Sequence, residues 1–424
     1  MKLETPKNKN YAAVVVRLTN IIKLDNCDNV VSTTIFGFQA IIDKEHKEGD
    51  IGIVFPAETR LSEEYLYENN LNRHGDRNRD EAQKGYIEDN RRVKAVKFRG
   101  NRSDCLFMPL ESLRYTGADV RDFNEGDTFD TLGKHLICEK YERPILVSKA
   151  QAQMEKVFRR VEAKFLPEHY DNEHYLRNVD RIPDNTKLIV TQKLHGTSIR
   201  VGHTICLRHH NLLEKILIKL GVKIQESEFD YVYGSRRVIK DINNPNQNHF
   251  YGEDVWTKAG KALQGLIPQN YLIYGELVGY TNEGSPIQKD YTYGCLPGAN
   301  KLFVYRVAIV NAEGVITDLS WDQVKEFCAQ RGLTTVKELW RGEKAGFKVE
   351  DFLDHRFADR KGSYTDEPVE IVHDDPLIVD EGVCVRVEGM VPMIYKAKSP
   401  IFLQHETKML DQEVTDIEAE QPTL

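Results

Sequence analysis

The sequence has no long hydrophobic run. No apolar stretch reaches the roughly 18 to 20 residues that a membrane-spanning helix needs. The first six residues, Met1 to Pro6, also lack the apolar core of a secretory signal peptide. Both features predict a cytoplasmic protein without a membrane partner.

Cysteine is scarce and unpatterned. The seven cysteines are an odd number, lie far apart and include no Cys-x-x-Cys pair. Disulfide frameworks and thiolate zinc sites need cysteines that are paired at short spacings. The pattern therefore argues against both and predicts scattered, reduced thiols.

An excess of positive charge is also missing. Lysine and arginine number 58 against 66 aspartates and glutamates, which gives a formal net charge of −8. Many nucleic-acid-binding proteins are basic overall because they neutralise phosphates, so the composition is mildly unfavourable to that class. The charge is unevenly distributed, however, since Arg91 to Arg102 is strongly basic and Asp411 to Glu420 is acidic.

The chain is long enough for at least two globular domains. It has 424 residues, of which 40% are hydrophobic and 29% charged. From about Tyr11 to Asp130, short β-branched and aromatic runs alternate with turns, which predicts a small β-barrel. In Lys94 to Arg99, Val96 and Phe98 alternate with basic residues, which predicts a strand with one apolar and one basic face.

Helical spacing follows this region. Met154, Val157, Val161 and Phe165 recur at three- and four-residue intervals and predict a linker helix within Ser148 to Tyr175.

Strands and helices alternate beyond the linker. Helices are predicted over Asn211 to Leu220 and over Asp322 to Arg331, the second with Asp322 as its N-cap.

A candidate nucleophile stands at Lys193. It follows the strand-like run Leu188 to Gln192, and Gly196 lies three residues further on. A lysine at a strand end beside a tight turn can be partly buried and held as a free amine, which makes it a nucleophile. The glycine would let the backbone approach a bound ligand closely. Taken alone, the same residues also fit an ordinary strand–turn–strand with an exposed lysine.

Two glutamates adjoin apolar strand-like runs. Glu276 lies inside Tyr271 to Gly279, and Glu381 precedes Val383 to Val387. A buried carboxylate is costly unless it meets a partner, a metal or a ribose hydroxyl. The alternative for each is a glutamate at a strand edge that faces water.

Further cationic and aromatic side chains fit the same site. Lys396 and Lys398 are two apart on a strand-like run, which places two charges on one side, suited to phosphates. A solvated strand face is the alternative. Arg236 follows another short run and offers a guanidinium. Phe303 and Tyr305 share one face of a strand, where aromatic rings either stack on nucleobases or fill a core.

Together, these residues provide what an attack on an α-phosphate needs. The amine of Lys193 would attack, and a divalent cation held by Glu276 and Glu381 would offset charge. The lysine pair, Lys396 and Lys398, would stabilise the transition state. Magnesium is the natural ion for oxygen ligands and phosphates.

The ordered set resembles the covalent nucleotidyltransferase superfamily, which contains ATP-dependent DNA and RNA ligases and mRNA capping enzymes. The resemblance covers Lys193 to Lys398, about half of the chain. Six segments in family order support it: Lys193-Leu-His-Gly196 resembles motif I, Ser235-Arg236 motif Ia, Gly275-Glu276-Leu277 motif III, Phe303-Val-Tyr305 motif IIIa, Glu381-Gly382-Val383 motif IV and Lys396-Ala-Lys398 motif V.

Within that superfamily the sequence is more similar to RNA ligases. DNA ligases usually have Asp where His195 stands, and capping enzymes and DNA ligases continue into an OB domain after motif V. Here only 26 residues follow Lys398. The predicted barrel comes first instead, and its Lys97 to Gly100 and Leu106 to Pro109 resemble the N-terminal OB domain of one group of RNA ligases. That group seals nicks in duplexes with an RNA 3′-hydroxyl strand.

The resemblance implies an α+β fold. An OB-like N-terminal β-barrel would precede a nucleotidyltransferase (ligase adenylation) domain of antiparallel sheets and helices. The expected division is 1–145 for the OB-like nucleic-acid-binding domain, 146–180 for the helical linker, 181–405 for the adenylation domain and 406–424 for an acidic tail.

The resemblance also implies a role for each matched residue. Lys193 takes AMP from ATP, and His195, Lys396 and Lys398 complete the catalytic set. Nucleotide-binding residues are Gln192, Gly196, Ser198, Arg236, Glu276 and Phe303. Glu276 and Glu381 hold Mg²⁺ or Mn²⁺.

Two positions depart from the family pattern. Gln192 stands where many relatives have Glu, which leaves the residue that reads the base open. Tyr305-Arg306 replaces a common Phe-Asp pair, so Tyr305 is a second choice beside Phe303 for the aromatic that stacks on adenine.

The implied function is an ATP-dependent RNA ligase. A monomer would join 3′-hydroxyl and 5′-phosphate ends, of RNA or RNA/DNA in nicked or splinted duplexes, through lysyl-AMP and an adenylated 5′ end. One alternative is an ATP-dependent DNA ligase, which would differ in the 3′-hydroxyl strand that it accepts. The other is a non-catalytic protein that binds nucleic-acid ends and never takes up AMP.

Overall fold

The computed structural model describes residues 3–142, 160–208, 210–240, 251–354 and 378–411. These residues form two compact units. The N-terminal unit comprises residues 3–142, 173–181 and 398–411, and the central unit comprises 160–172 and 182–397 apart from the gaps above.

The N-terminal unit is rich in short strands, as the sequence predicts. They are β1 (Ala13–Arg17), β2 (Ile22–Lys23), β3 (Val30–Ile35), β4 (Phe38–Asp43), β5 (Ile51–Pro56), β6 (Thr59–Leu61), β7 (Val96–Phe98), β8 (Asn101–Ser103), β9 (Cys105–Pro109), β10 (Thr128–Phe129), β11 (Thr131–Leu132), β12 (His135–Leu136), β13 (Cys138–Lys140) and β14 (Glu173–His174). Four strands pair in the order β10–β1–β5–β9 and three in the order β2–β3–β4. The pairs β6–β13, β7–β8 and β11–β12 are two-stranded.

The sheet around β1 is covered on both faces. Val15 packs with Ile53 and Phe55 in one apolar cluster, whereas Val14 and Val54 belong to another. Consecutive apolar residues are typical of strands that are buried on both faces. The strand pairs of the described residues do not close into a ring. The β-rich character is therefore confirmed, but the OB-like barrel is not.

The described residues contain six α-helices. They are α1 (Glu63–Glu68), α2 (Tyr175–Asn178), α3 (Leu212–Lys219), α4 (Val255–Lys261), α5 (Trp321–Ala329) and α6 (Pro400–Asp411). Shorter 3₁₀ turns lie at Lys9–Tyr11, Gly75–Arg77, Leu110–Thr116, Val120–Asp122, Ala163–Phe165, Val179–Arg181, Lys344–Gly346 and Val349–Phe352. In this part of the chain, no helix has the length and apolarity to cross a membrane.

Helix α6 crosses the predicted boundary between the adenylation domain and the acidic tail. The predicted boundary at residue 405 falls inside this helix, and residues 406–411 form its last turns rather than a tail. Thr407 is buried and donates its hydroxyl to Glu58 of the N-terminal unit at 3.0 Å. The buried side chain of Arg92 binds the Thr407 carbonyl at 3.3 Å. The rest of the predicted tail, 412–424, lies outside the described residues.

The predicted linker helix is wrong where the structure describes it. Residues 143–159, with Met154 and Val157, lie outside the described range. Val161 and Phe165 are buried, but between residues 160 and 174 the described backbone has a single helical turn, Ala163–Phe165. Pro167 keeps this turn from continuing, because proline disfavours helical geometry in the preceding residue and lacks a donor itself.

The central unit contains two antiparallel sheets. Its strands are β15 (Lys187–Lys193), β16 (Thr197–Leu207), β17 (Ser227–Gly234), β18 (Tyr271–Gly279), β19 (Asn300–Val310), β20 (Ile316–Asp318), β21 (Glu338–Glu343), β22 (Gly382–Val387) and β23 (Met393–Lys398). One sheet has the order β17–β16–β18–β19–β20, and the other contains β23–β22–β15–β21. This α+β arrangement of antiparallel sheets with few helices agrees with the expectation.

Both helices predicted for the central unit are present. Helix α5 begins at Trp321, because its N-cap is Ser320, two residues before the predicted Asp322; Ser320 forms a capping box with Gln323. Helix α3 has its own capping box, Asn211 with Glu214, and buries none of its residues.

Candidate active site

Lys193 is the last residue of β15, and the strand register places it against an acid. Strands β15 and β22 pair antiparallel with Lys193 opposite Gly382, so Glu381 lies immediately beyond the pair. Val190 and Val385 are opposite each other and fully buried, which fixes the register. The Lys193 Nζ lies 2.8 Å from Glu381 Oε1, with the two side chains 15% and 1% exposed. The candidate nucleophile is therefore partly buried and paired with a buried carboxylate.

His195 lies on the other side of Glu381. Its Nδ1 is 3.7 Å from Glu381 Oε2, and its backbone N–H donates to the hydroxyl of Tyr293 at 2.8 Å. Its ring meets the ring of Tyr291 edge-on at 4.9 Å. His195 is thus oriented by two tyrosines and adjoins the acid that pairs with Lys193.

Glu276 lies in the middle of β18, where its carboxylate receives two hydrogen bonds from the turn and strand after Lys193. The Gly196 N–H donates to Oε1 at 3.0 Å and the Ser198 hydroxyl to Oε2 at 3.2 Å. Ser198 and Glu276 are opposite partners in the β16–β18 register. These bonds stabilise the carboxylate inside an apolar strand. Burying it there without hydrogen bonds would cost free energy.

Position 196 must be glycine because the backbone of a neighbouring strand packs directly against it. A Cβ at this position would lie 2.4 Å from the carbonyl oxygen of Leu277 and 2.8 Å from Val278 Cγ1. The sequence predicts that this glycine lets the backbone approach a bound ligand. The close approach in the structure is to strand β18, and it brings the Lys193 turn against Glu276.

A cavity in the central unit collects most of the predicted residues. Gln192, Lys193, Ser198, Arg236, Glu276 and Lys396 line it. The other lining residues are His169, Tyr170, Asn172, Thr191, Leu194, Tyr305, Arg306, Trp321, Val336, Cys384, Arg386 and Ile394. His195, Gly196, Phe303 and Glu381 do not contribute to its wall, although three of them touch or support residues that do.

Lys398 is the last residue of β23 and belongs to the N-terminal unit. There its Nζ donates to Glu406 Oε1 of helix α6 at 2.8 Å, and both side chains are about nine-tenths buried. The predicted lysine pair is thus two residues apart on one strand, with Lys398 held by an acid and Lys396 on the cavity wall.

Tyr305, not Phe303, faces the cavity. Tyr274 pairs with Arg306 and Gly275 with Val304, so Tyr305 is the extra residue of a β-bulge in β19. Its hydroxyl lies 2.6 Å from Nδ1 of His169. Burial raises the pKa of Tyr305 well above its usual value. Phe303 is 5% exposed and packs inside the unit. Its position therefore favours Tyr305, the second choice from the sequence, as the ring that stacks on a base.

Gln192 is held by a neighbour. It is 1% exposed, and its amide nitrogen donates to Asp380 Oδ1 at 2.9 Å. Asp380 directly precedes Glu381, so this bond also ties the segment before β22 to β15.

The segment 165–172 supplies three lining residues that the sequence does not reveal: His169, Tyr170 and Asn172. Arg306 stacks against the ring of Tyr170 at 3.9 Å, donates to its hydroxyl at 2.8 Å, and pairs with Asp318. The segment shows no hydrophobic periodicity because it forms neither a regular helix nor a strand. The one available signal is its run of aromatic and polar residues ahead of motif I.

The thiol of Cys384, also on the cavity wall, is another side chain that could in principle act as a nucleophile. Burial raises the pKa of its thiol to about 11. The group is therefore an uncharged thiol at neutral pH and does not compete with Lys193 as a nucleophile.

The carboxylates suit a metal that also binds phosphate. In the described part of the chain, no group of three or more His, Cys, Asp or Glu side chains is placed to hold a metal ion. Glu381 pairs with Lys193, and Glu276 lines the same cavity as Lys193. Mg²⁺ is commonly bound by one or two carboxylates with substrate phosphates as further ligands. The residues present fit that mode and not an all-protein cage.

Known proteins are similar to this chain in fold and in part of the sequence. No curated protein sequence matches the chain. Among solved structures, a lysine-to-methionine mutant of Naegleria gruberi RNA ligase with AMP and Mn has a TM-score of 0.58 at 17% identity, over 93% of this chain and 98% of that one. A glutamate-to-alanine mutant of the same ligase with ATP and Mn has a TM-score of 0.60 at 15% identity, over 94% of this chain and 99% of that one. These similarities show a shared fold.

The family model described as RNA ligase matches residues 186–401. The match begins just before Lys193 and ends just after Lys398, and so spans all six motifs. It covers half of the chain, and the protein therefore belongs to the RNA ligase family.

Proposed function

We propose that the protein is an ATP-dependent RNA ligase that seals 3′-hydroxyl and 5′-phosphate ends through an adenylate on Lys193. One observation supports this most strongly. Lys193 Nζ lies 2.8 Å from a buried carboxylate, on the wall of a cavity that Glu276, Lys396 and Tyr305 also line.

The first step is attack on the α-phosphate of ATP. The Nζ of Lys193 forms a bond to phosphorus as the bond to the pyrophosphate oxygen breaks. The attacking group must be a free amine, so its proton has to leave. Glu381 Oε1, at 2.8 Å, is within proton-transfer distance and is the natural acceptor.

Lys396 and Glu276 would orient the nucleotide around that bond. Lys396 on the cavity wall offsets charge on the α-phosphate. Tyr305 offers a ring for the base, and Glu276 lies within the same wall. A divalent ion, Mg²⁺ or Mn²⁺, bound by Glu276 and Glu381 together with phosphate oxygens, would supply Lewis-acid stabilisation of the phosphate charge. Naegleria gruberi RNA ligase, which shares the fold, was solved with AMP or ATP and Mn.

Two transfers complete the cycle. The AMP phosphorus leaves Lys193 for an oxygen of the 5′-phosphate end, which breaks the P–N bond and forms a phosphoanhydride. The 3′-hydroxyl oxygen then attacks the activated 5′-phosphorus, and AMP leaves. Holding both ends in a duplex makes this last step effectively unimolecular, which favours a nick or splint as substrate.

The N-terminal unit offers a basic surface for the nucleic acid. The hairpin β7–β8 lies within the basic stretch Arg91 to Arg102, and its tip is exposed. Phe98 is 45% exposed, with the guanidinium of Arg99 5.6 Å from its ring centroid. Cationic groups interleaved with an exposed aromatic ring suit a nucleic-acid strand, and the contact would weaken with salt.

The test is sealing of labelled nicked duplexes in ATP and Mg²⁺. Four substrates pair an RNA or DNA 3′-hydroxyl strand with an RNA or DNA 5′-phosphate strand. We expect sealing wherever the 3′-hydroxyl strand ends in RNA, and none by Lys193→Ala. The matched control is Lys187→Ala, at the exposed opposite end of β15, which should seal as the wild type does.

Other outcomes separate the alternatives. Equal sealing of DNA and RNA 3′-hydroxyl strands would indicate a DNA ligase. Binding of nicks without any AMP uptake would indicate an end-binding protein and would refute the proposal.

A further inference from the structure

The irregular segment 165–172 is held by side chains of the central unit. It has no strand partners, yet the Arg200 guanidinium donates to the Leu166 carbonyl at 2.8 Å. The Tyr274 hydroxyl donates to the Pro167 carbonyl at 3.0 Å. Arg236 pairs with Asp171 at 2.6 Å. Backbone without a ladder keeps one conformation only when such contacts determine it.

The same segment contacts the aromatic wall of the cavity at one point. His169 Nδ1 and the Tyr305 hydroxyl are 2.6 Å apart, and the His169 ring meets Tyr274 edge-on at 5.1 Å. Both His169 and Tyr305 line the cavity that contains Lys193. His169 is thus fixed from one side by Tyr274 and restrains Tyr305 on the other.

Tyr305 needs such a restraint because of its place in the sheet. As the extra residue of a bulge, it has no opposite partner on β18 to pack against. A phenol ring on a bulge can adopt more than one rotamer. In the structure the Tyr305 hydroxyl meets Ser198 of the sheet and His169 of the segment, while the ring packs against the apolar cluster that contains Tyr274. The bond to His169 is the restraint that segment 165–172 contributes.

We propose that His169 is a positioning residue of the nucleotide site, which holds Tyr305 as the surface on which the nucleobase stacks. The inference rests on the proposed function, since it needs a nucleotide in the cavity. It makes segment 165–172 part of the binding site, although the segment precedes every motif. The pair acts on nucleotide binding and leaves the chemistry at Lys193 unchanged.

The experiment is single-turnover labelling of the full chain by ATP labelled at the α-phosphate, at a series of ATP concentrations. It yields a half-saturating concentration and a maximal rate for each variant. A lost hydrogen bond of this kind corresponds to roughly a 3- to 10-fold change in an equilibrium. We expect His169→Ala to raise the half-saturating ATP concentration by about that factor with the maximal rate unchanged.

Two further variants separate positioning from a general structural effect. Tyr305→Phe keeps the ring and removes the hydroxyl, which also meets Ser198, so the increase should be at least as large. Because both changes break the bond between His169 and Tyr305, the double variant should be no worse than Tyr305→Phe alone. His169→Gln, which retains a hydrogen-bonding group, should recover part of the affinity. Should His169→Ala fail to fold, Tyr305→Phe and His169→Gln still test the same link.

The matched control is His203→Ala. His203 also stacks on a tyrosine of the central unit, with its ring centroid 4.2 Å from that of Tyr231, but it does not line the cavity. It should leave the half-saturating ATP concentration unchanged.

Three results would overturn the inference: an unchanged half-saturating concentration in His169→Ala, a loss of maximal rate alone, or additive effects in the double variant. Failure of the wild type to take label from ATP would instead sink the proposed function and this inference with it.

Discussion

Glu58 is the buried acid whose charge state should control the stability of the N-terminal unit. Its carboxylate accepts hydrogen bonds from Arg92 at 3.0 Å and from Thr407 of α6 at 3.0 Å, and it is 6% exposed. Burial raises the pKa of Glu58 from 4.5 to about 7; Arg92 opposes the shift, and Glu406 adds to it. Replacing Glu58 with Gln keeps the shape and removes the titration.

The size of the effect follows from that pKa. Between about pH 4.5 and pH 7 the folded state keeps a proton that the unfolded state has lost, so stability falls as the pH rises through this window. At 1.36 kcal/mol per pKa unit, the loss amounts to about 3 kcal/mol. Below the window the contribution is fully present, and above it the contribution is gone.

The assay is hydrogen exchange of the β1 and β5 amides between about pH 5 and pH 8, corrected for intrinsic rates. The protection free energy of the wild type, relative to Glu58→Gln, should fall by about 2.5 kcal/mol over that range, which begins slightly above the lower end of the window. The matched control Glu45→Gln, an exposed glutamate of the same unit, should give a flat difference. A difference between wild type and Glu58→Gln that does not change with pH, or that grows with it, would refute the reasoning.

Three further predictions concern the central unit. Gly196→Ala places a Cβ 2.4 Å from the Leu277 carbonyl, so it should lower the melting temperature, at a cost of about 1–3 kcal/mol, and reduce AMP uptake by separating the Lys193 turn from Glu276. A folded variant with full uptake would contradict this. Ser320→Ala removes the N-cap of α5 and should cost about 1 kcal/mol in thermal unfolding, with AMP uptake unchanged. Cys384, with a thiol pKa of about 11, should react with iodoacetamide at pH 8 roughly a hundredfold more slowly than free cysteine, and rapid labelling of the folded protein would contradict the raised pKa.

The sequence predicts much of the site because the motifs are local. A lysine at a strand end, a glycine three residues later and acids beside apolar strands each have a pattern that can be read along the chain. Pairing of β15 with β22 and of β16 with β18 then brings Glu381 and Glu276 to the Lys193 turn. The order of the motifs implied that their residues share one site. The register of these strand pairs explains how the residues come together.

The remaining features depend on contacts that have no local pattern. The bulge at Tyr305 breaks the alternation that put Phe303 and Tyr305 on one face. The helical spacing of Val161 and Phe165 corresponds in the structure to one short turn, Ala163–Phe165, which Pro167 keeps from continuing. The packing of helix α6 on the N-terminal unit depends on Arg92, more than 300 residues away in sequence. Such long-range partners cannot be found from spacing alone.

The central claim is that Lys193 takes AMP covalently. The most direct test is mass spectrometry of peptides from the full chain after incubation with ATP and Mg²⁺, with pyrophosphate pretreatment to clear any AMP already attached. The account predicts an AMP adduct on Lys193, absent after incubation with GTP and absent from Lys193→Ala. An adduct on another residue, or none on the pretreated wild type, would contradict it.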